Sequence, residues 1–352
     1  FSSDKFLTAQ FERVFSDAIS GSTPLAGTSL AIEPDGGVVL VGALLGTAQL
    51  GSVSFSSAAG VDGILAGVSP NGAVRWSFQT NSPADSSAQF LYATHSRQGE
   101  LFAVGKFRGK LSMAQMSWDA GSAEPIFVLL LDAAHAFRRV ALINSSVPVS
   151  VLGVTSTPGG VFVSILITQP IAIDGTIVSP SGPFDLAVVD FDDNLIYRAA
   201  HLIPRAQLRH SGPASTLDGG FVVASGFAGA ANFGCGPHDA GPADQTWYLG
   251  RFDSAMGCVR STPLAKGTVN DSFWITDVYS DRSGNIIIGG AISGTVYVLG
   301  SPVSGASSPG VFNSVVMSIN QEDQLQWVSV VAPNAGAGHA VNPGANWLAA
   351  AS

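Results

Sequence analysis

The chain has 352 residues and a net charge of −9, with 46% hydrophobic and only 12% charged residues. It therefore has ample material for a large core but no basic stripe with which to hold nucleic acid or anionic lipid. Glycine is abundant (41 residues) and lysine sparse (Lys5, Lys106, Lys110, Lys266), a balance that suits short strands and tight turns, not helices with charged outer faces.

The first segment, DKFLTAQFERVFSDAIS (4–20), reads as a third and a fourth strand with no pair before them. A unit then begins that the chain rewrites five times, at about 25–88, 89–149, 150–210, 211–272 and 273–338. In the first unit a short strand (TSLAIEP) meets a turn at Gly36, a second strand (VVLVG) follows, and a loop (47–61) leads to a third (GILAGVS) and fourth strand (AVRWSF). The second unit repeats this as LYATHS, Gly99, LFAVG, loop 110–124, IFVLLLD and FRRVAL. In the third, LGVTST and Gly159 precede VFVSI, whose continuation lacks the glycine pair; loop 170–183, DLAVVDF and NLIYRA complete it. The fourth runs through Gly219, FVVAS, loop 230–245 and WYLGRFD, and the fifth through WITDVYS, Gly284, IIIGG, loop 295–311, SVVMSIN and LQWVSVV. HAVNPGANWLAAAS (339–352) supplies a first and second strand with nothing after them.

The turn glycines Gly36, Gly99, Gly159, Gly219, Gly284 and Gly344 lie 63, 60, 60, 65 and 60 residues apart. Regular periods of this kind mark repeat architectures. Four short strands per period, joined by Gly/Asp/Asn turns, predict the four-stranded antiparallel blades of a β-propeller. The expected fold is all-β: one domain of six blades, the sixth shared between residues 1–24 and 339–352 so that the chain ends close the ring.

The pattern of Asp-x-x-Gly-Asn, apolar strand, glycine-spaced aromatic, Phe-Gly and a late tryptophan shows best in DRSGNIIIGGAISG (281–294) and DGGFVVASGFAGAANFGCGP (218–237). With these motifs the unit resembles the SBBP-type β-propeller repeat of secreted and surface proteins of bacteria, over nearly the whole chain. The resemblance implies a scaffold and carries no catalytic residue. The two cysteines, Cys235 and Cys258, occur in the same unit and in no other, at the loop after its second strand and the start of its fourth. They are expected to meet as a disulfide, with two buried thiols as the alternative. The resemblance agrees, since units of that family carrying one of them tend to carry the other. A bridge implies an oxidising compartment, hence a secreted, cell-surface or periplasmic location. A chain opening on Phe1 is expected to have lost a leader or to belong to a longer chain or assembly.

Local motifs name no reaction. The histidines (95, 135, 201, 210, 238, 339) show no metalloprotease spacing, and no nucleophile elbow, phosphate loop or dinucleotide fingerprint is present. DFDDN (190–194) gathers oxygens of the kind calcium wants, but at a strand turn where Asp and Asn belong anyway. SPNGAVRW (69–76) has the ends of a sialidase-type Asp box with Asn71 in place of the acid. No catalytic residue, metal or cofactor is expected. No apolar run reaches the roughly eighteen residues of a membrane helix, and 161–173 is interrupted by Pro170. In a propeller the long loops share one face, and function sits on varied loops over a rigid scaffold. Trp118, His238 and Asp239 are therefore candidate contacts for a protein or glycan partner, and Tyr92, Thr94, Thr155 and Asp277, on first strands, candidate channel-lining residues. The expected function is a non-catalytic binding or structural module. The alternative is a secreted glycan-active enzyme whose acids converge at the channel mouth from several blades.

Overall fold

The computed structural model describes residues 19–20, 25–57, 60–204, 209–227, 230–232, 234–239, 246–267, 272–281, 283–305 and 311–331. Among these there is no helix, and the backbone is organised into five four-stranded antiparallel sheets. The first sheet contains Leu25–Ile32, Val38–Leu44, Asp62–Val68 and Val74–Gln79. The second contains Ser87–His95, Leu101–Arg108, Ile126–Leu131 and Phe137–Ser145. The third contains Ser150–Thr157, Gly160–Ile167, Asp185–Asp192 and Tyr197–Pro204. In the fourth, a broken first strand (Arg209–His210, Ala214–Ser215) precedes Phe221–Phe227, Thr246–Phe252 and Cys258–Lys266. The fifth contains Ser272–Ser280, Ile286–Ser293, Asn313–Ile319 and Leu325–Val331.

These are blades of the β-propeller kind, and among the described residues there are five of them, not the expected six. Every complete turn-and-strand unit of the sequence is used up in a sheet of its own. Of the expected sixth blade, residues 1–18, 21–24 and 339–352 lie outside the described residues. Ile19–Ser20 pairs with Gln49 and Leu50 of the first unit.

Strand position within a sheet follows from composition. The third strand Ile126–Leu131 is apolar and buried along its whole length, as a strand covered on both faces must be. Fourth strands alternate: Leu325–Val331 is exposed at Gln326, Trp327, Ser329 and Val331. First strands slip register by one residue at Thr28, Leu91, Leu152 and Thr276, a bulge repeated at the same place. The turn from first to second strand needs a left-handed residue, and Gly36, Gly99, Gly219 and Gly284 supply it at φ 80–86°. The third sheet departs here, since Thr157 pairs directly with Gly160 across a shorter turn.

The segments 47–61, 110–124, 170–183, 230–245 and 295–311, expected to be loops, instead carry two-stranded hairpins between the second and third strands: Thr47–Leu50 with Val53–Ser56, Lys110–Met113 with Met116–Asp119, Ile171–Ile173 with Thr176–Val178, Ala230–Asn232 with Pro237–Asp239, and Thr295–Val298 with Ser301–Ser304. Alternation makes them strands, for Ala48, Leu50, Leu111, Met113, Ile171, Ile173, Val296 and Val298 are buried and their neighbours are not. Both central turn residues are left-handed in Ala114–Gln115, Asp174–Gly175 and Leu299–Gly300, the geometry that matches strand twist. Fourth strands dock on the hairpin of the following unit, Ile143 to Ser145 on Ile171 to Ile173 and Ala265 and Lys266 on Tyr297 and Val298. Ile19–Ser20 docks on its hairpin in the same manner.

The described residues of 1–149, with 170–178 and 192–197, form one compact unit, and those of 150–169, 179–191 and 198–352 another. In the first, a core of Val39, Val41, Leu65, Phe90, Leu101, Phe127 and Leu129 lies between the first and second sheets, with the Phe90 ring edge-on to Phe127 at 5.2 Å. In the second, Phe162, Leu186, Phe221 and Phe252 fill the space between the third and fourth sheets, and Leu249, Leu264, Ile286, Ile288 and Met317 that between the fourth and fifth.

Candidate functional site

The turn from third to fourth strand is built alike in all five sheets. Ser69, Asp132, Asp192, Asp253 or Asn320 opens it, and its side-chain oxygen accepts the backbone N–H four residues on. Three residues after that opener the chain is left-handed, at Gly72, His135, Leu195, Met256 and Asp323. A side chain at this point swings inward, and where two adjoining sheets fall in the same unit it meets the preceding sheet. Met256 joins the apolar cluster of Phe162 and Leu186. Asp323 accepts from Arg251 Nε at 2.6 Å and from Thr262 Oγ1 at 2.6 Å, and pairs with Arg260 Nε at 2.7 Å, all from the fourth sheet.

His135 uses the same geometry to reach the first sheet. Its ring stacks on Trp76 at 4.0 Å between centroids, and its Nε2 lies 3.7 Å from Glu33 Oε1. Glu33 opens the first-to-second strand turn of the first sheet, where the other sheets hold Ser96, Thr216 and Asp281. Asp35 caps that turn instead, accepting from Gly37 N at 3.0 Å, which frees the Glu33 carboxylate to point inward. There Glu33 is 4% exposed; Trp76 Nε1 donates to its Oε1 at 2.8 Å, and Arg75 donates to its Oε2 and to Asp35. His95, last residue of its strand, brings a second imbidazole to the place, 6.2 Å from the His135 ring and perpendicular to it. One ligand atom from each of Glu33, His95 and His135 falls within 4.8 Å of the others.

Burial pushes the His95 imidazole down to about 4, with the nearby Gly99 backbone acting the other way. Burial first, and the Arg75 guanidinium second, lower His135 as well. Both rings are therefore neutral near pH 7 and carry a lone pair. A carboxylate oxygen and two neutral imidazoles are a ligand set used for divalent transition ions. No sequence motif announces it, because its members are 62 and 40 residues apart. The available signal was positional: Glu where other units place Ser, Thr or Asp, and His at a left-handed turn residue.

The residues singled out from sequence fall elsewhere. Trp118 sits opposite Leu111 in its hairpin, half-buried against the core of the first unit. His238 packs on Tyr248 at 4.4 Å and bonds through Nε2 to Ser261 Oγ, so it fastens its hairpin to the fourth sheet; burial lowers its pKa. Asp239, next along, is exposed. Tyr92 and Thr94 are half-buried on the first strand of the second sheet, Thr155 on that of the third and Asp277 on that of the fifth. Thr155 Oγ1 accepts from Ser215 N at 3.1 Å. Cys235 and Cys258 form a disulfide, Cα to Cα 5.3 Å, tying a hairpin to the start of a fourth strand. Closing a loop with a sequence separation of 23 is worth about 3 kcal/mol by the chain-entropy model. Among the described residues no helix is long and apolar enough to cross a membrane.

No family model matches the chain, and no curated protein does. Among solved structures it is similar to the crystal structure of a protein of unknown function from Bacteroides caccae, with 10% identity and a TM-score of 0.46, covering 87% of this chain and 82% of that one.

Proposed function

We propose that the protein is a non-catalytic extracellular or cell-surface module of SBBP-like repeats that binds a protein or glycan partner through its hairpins. The observation that carries this reading is that the hairpins inserted between second and third strands leave apolar side chains uncovered: Met116 and Ile177 in one unit and Tyr297 in the other are 48%, 62% and 54% exposed. Val259, Trp327 and Val331 on fourth strands are exposed too; the hairpins differ in being insertions on the repeated scaffold, where binding surfaces sit. The disulfide supports an oxidising location such as the cell surface or the periplasm.

The test is a screen of the purified chain against a glycan array and a panel of purified surface proteins, repeated with Met116→Ser and Ile177→Ser combined and, separately, with Tyr297→Ser. The expected result is a ligand whose affinity falls at least about tenfold in one of the two variants, since burying an apolar side chain of this size is worth about 1.5–3 kcal/mol. A ligand bound equally by both variants, or glycan turnover by the wild type, overturns it.

A further inference from the structure

We propose that Glu33, His95 and His135 bind one divalent transition-metal ion of the zinc class, held across the joint between the first and second sheets. This goes beyond the hairpin-binding reading and does not depend on it.

The joint between the fourth and fifth sheets supplies the comparison. There the three equivalent positions hold Thr216, Ser280 and Asp323, and the Asp323 carboxylate is consumed by Arg251, Arg260 and Thr262. At the first joint the same three positions hold a carboxylate and two imidazoles, none of which the turns require. The His135 backbone is left-handed at φ 60°, a conformation unusual for a residue other than glycine. All five turns share that backbone, so what is particular to this joint is the imidazole that the turn delivers to Glu33.

The donor set is complete enough to choose an ion. Arg75 occupies Oε2 of Glu33, while Oε1 faces the imidazoles and has given one of its two lone-pair directions to Trp76 Nε1. Trp76 thus orients the ligating carboxylate and also backs the His135 ring, as outer partners of metal ligands do. Ligand atoms around a tetrahedral zinc stand about 3.3 Å apart, given bonds of roughly 2.0–2.1 Å. His135 Nε2 and Glu33 Oε1 are already at 3.7 Å, and the full set within 4.8 Å. The His135 side chain is 21% exposed on a turn, so it can close the remaining distance and gives an ion its way in. Charge agrees. The carboxylates of Glu33 and the neighbouring Asp35 and Asp132 outnumber the one cation among them, Arg75. Calcium and magnesium prefer oxygen cages and are poor matches for two nitrogens.

The full chain, stripped with chelator, is titrated with Zn2+ by calorimetry and melted with and without it, alongside Ca2+ and Mg2+. The expected result is one Zn2+ per chain, a raised melting midpoint because the ion joins two sheets, and no comparable effect of Ca2+ or Mg2+. His95→Gln and His135→Asn are each expected to weaken Zn2+ at least tenfold, since loss of even an outer partner costs roughly 10–100-fold. Asn tolerates the left-handed turn, so His135→Asn keeps the test interpretable if His95→Gln fails to fold. Absence of Zn2+ binding overturns the proposal, as does stoichiometric binding that survives His135→Asn or equal response to Ca2+.

Discussion

At Gly72, His135, Leu195, Met256 and Asp323 the backbone makes the same left-handed turn with five different side chains. The fold sets the geometry there and leaves the chemistry free: Leu195 and Met256 are buried apolar caps, Asp323 an ion-pair centre, His135 a partner for Glu33. His95, beside it, makes the site sensitive to acid. Its pKa is lowered from 6.5 to about 4 chiefly by burial, with His135 and Asp35 as the charges acting on it and the Glu33 carboxylate, paired with Arg75, close by. The unfolded chain takes up a proton that the folded protein resists. The stabilising contribution is thus whole above about pH 6.5 and is lost as pH falls toward 4, on the order of 3 kcal/mol for this shift. In metal-free protein the urea midpoint should drop across that window, and His95→Gln should reduce the drop. Equal slopes in the two proteins would contradict it. None of this was legible residue by residue, since a lone His in THSRQG and another in DAAHAF look like ordinary turn residues.

Among the elements, the glycine-marked turns and the four core strands of each unit are written plainly in the sequence, because a left-handed turn residue and a β-branched run each have a strong local signature. The hairpins were written too, as the alternation of TAQLGSVSF and KLSMAQMSW shows. Their Gly and Ser content suggests loops, yet alternate burial of Leu50, Phe55, Leu111 and Met113 decides for strands. The arginines near the start of fourth strands carry a second repeated feature. Arg75, Arg138 and Arg198 occupy one position and reach back to their own first turns, at Glu33 and Asp35, Glu100, and the Gly159 carbonyl. In the fourth sheet Arg251 and Arg260 turn instead to Asp323 of the fifth. Arg251 and Asp323 are both nearly buried, so Asp323→Asn removes the counter-charge of a buried guanidinium. Urea denaturation should show a loss of roughly 3–5 kcal/mol, the range for breaking a buried pair from one side; a loss below about 1 kcal/mol would show that the joint does not depend on it.

For the molecule as a whole, repetition explains both what the sequence foretells and what it hides. A period near sixty residues predicts identical four-stranded blades, and the described residues form five of these. Half-units at the chain ends suggest a sixth, but local pattern identifies a strand and not what it pairs with. The candidate site is hidden for the same reason. Its three side chains come from two neighbouring sheets, and only stacking of one blade on the next brings positions 33, 95 and 135 together. A scaffold of equal joints can specialise one of them by changing three side chains without disturbing the turns that carry them. The most direct measurement is an anomalous difference map from Zn2+-soaked crystals, recorded on both sides of the zinc absorption edge. The account predicts one strong peak within bonding distance of Glu33 Oε1 and of a ring nitrogen of both His95 and His135. A map with no peak there, or with its strongest peak at His201 or His238, would contradict it.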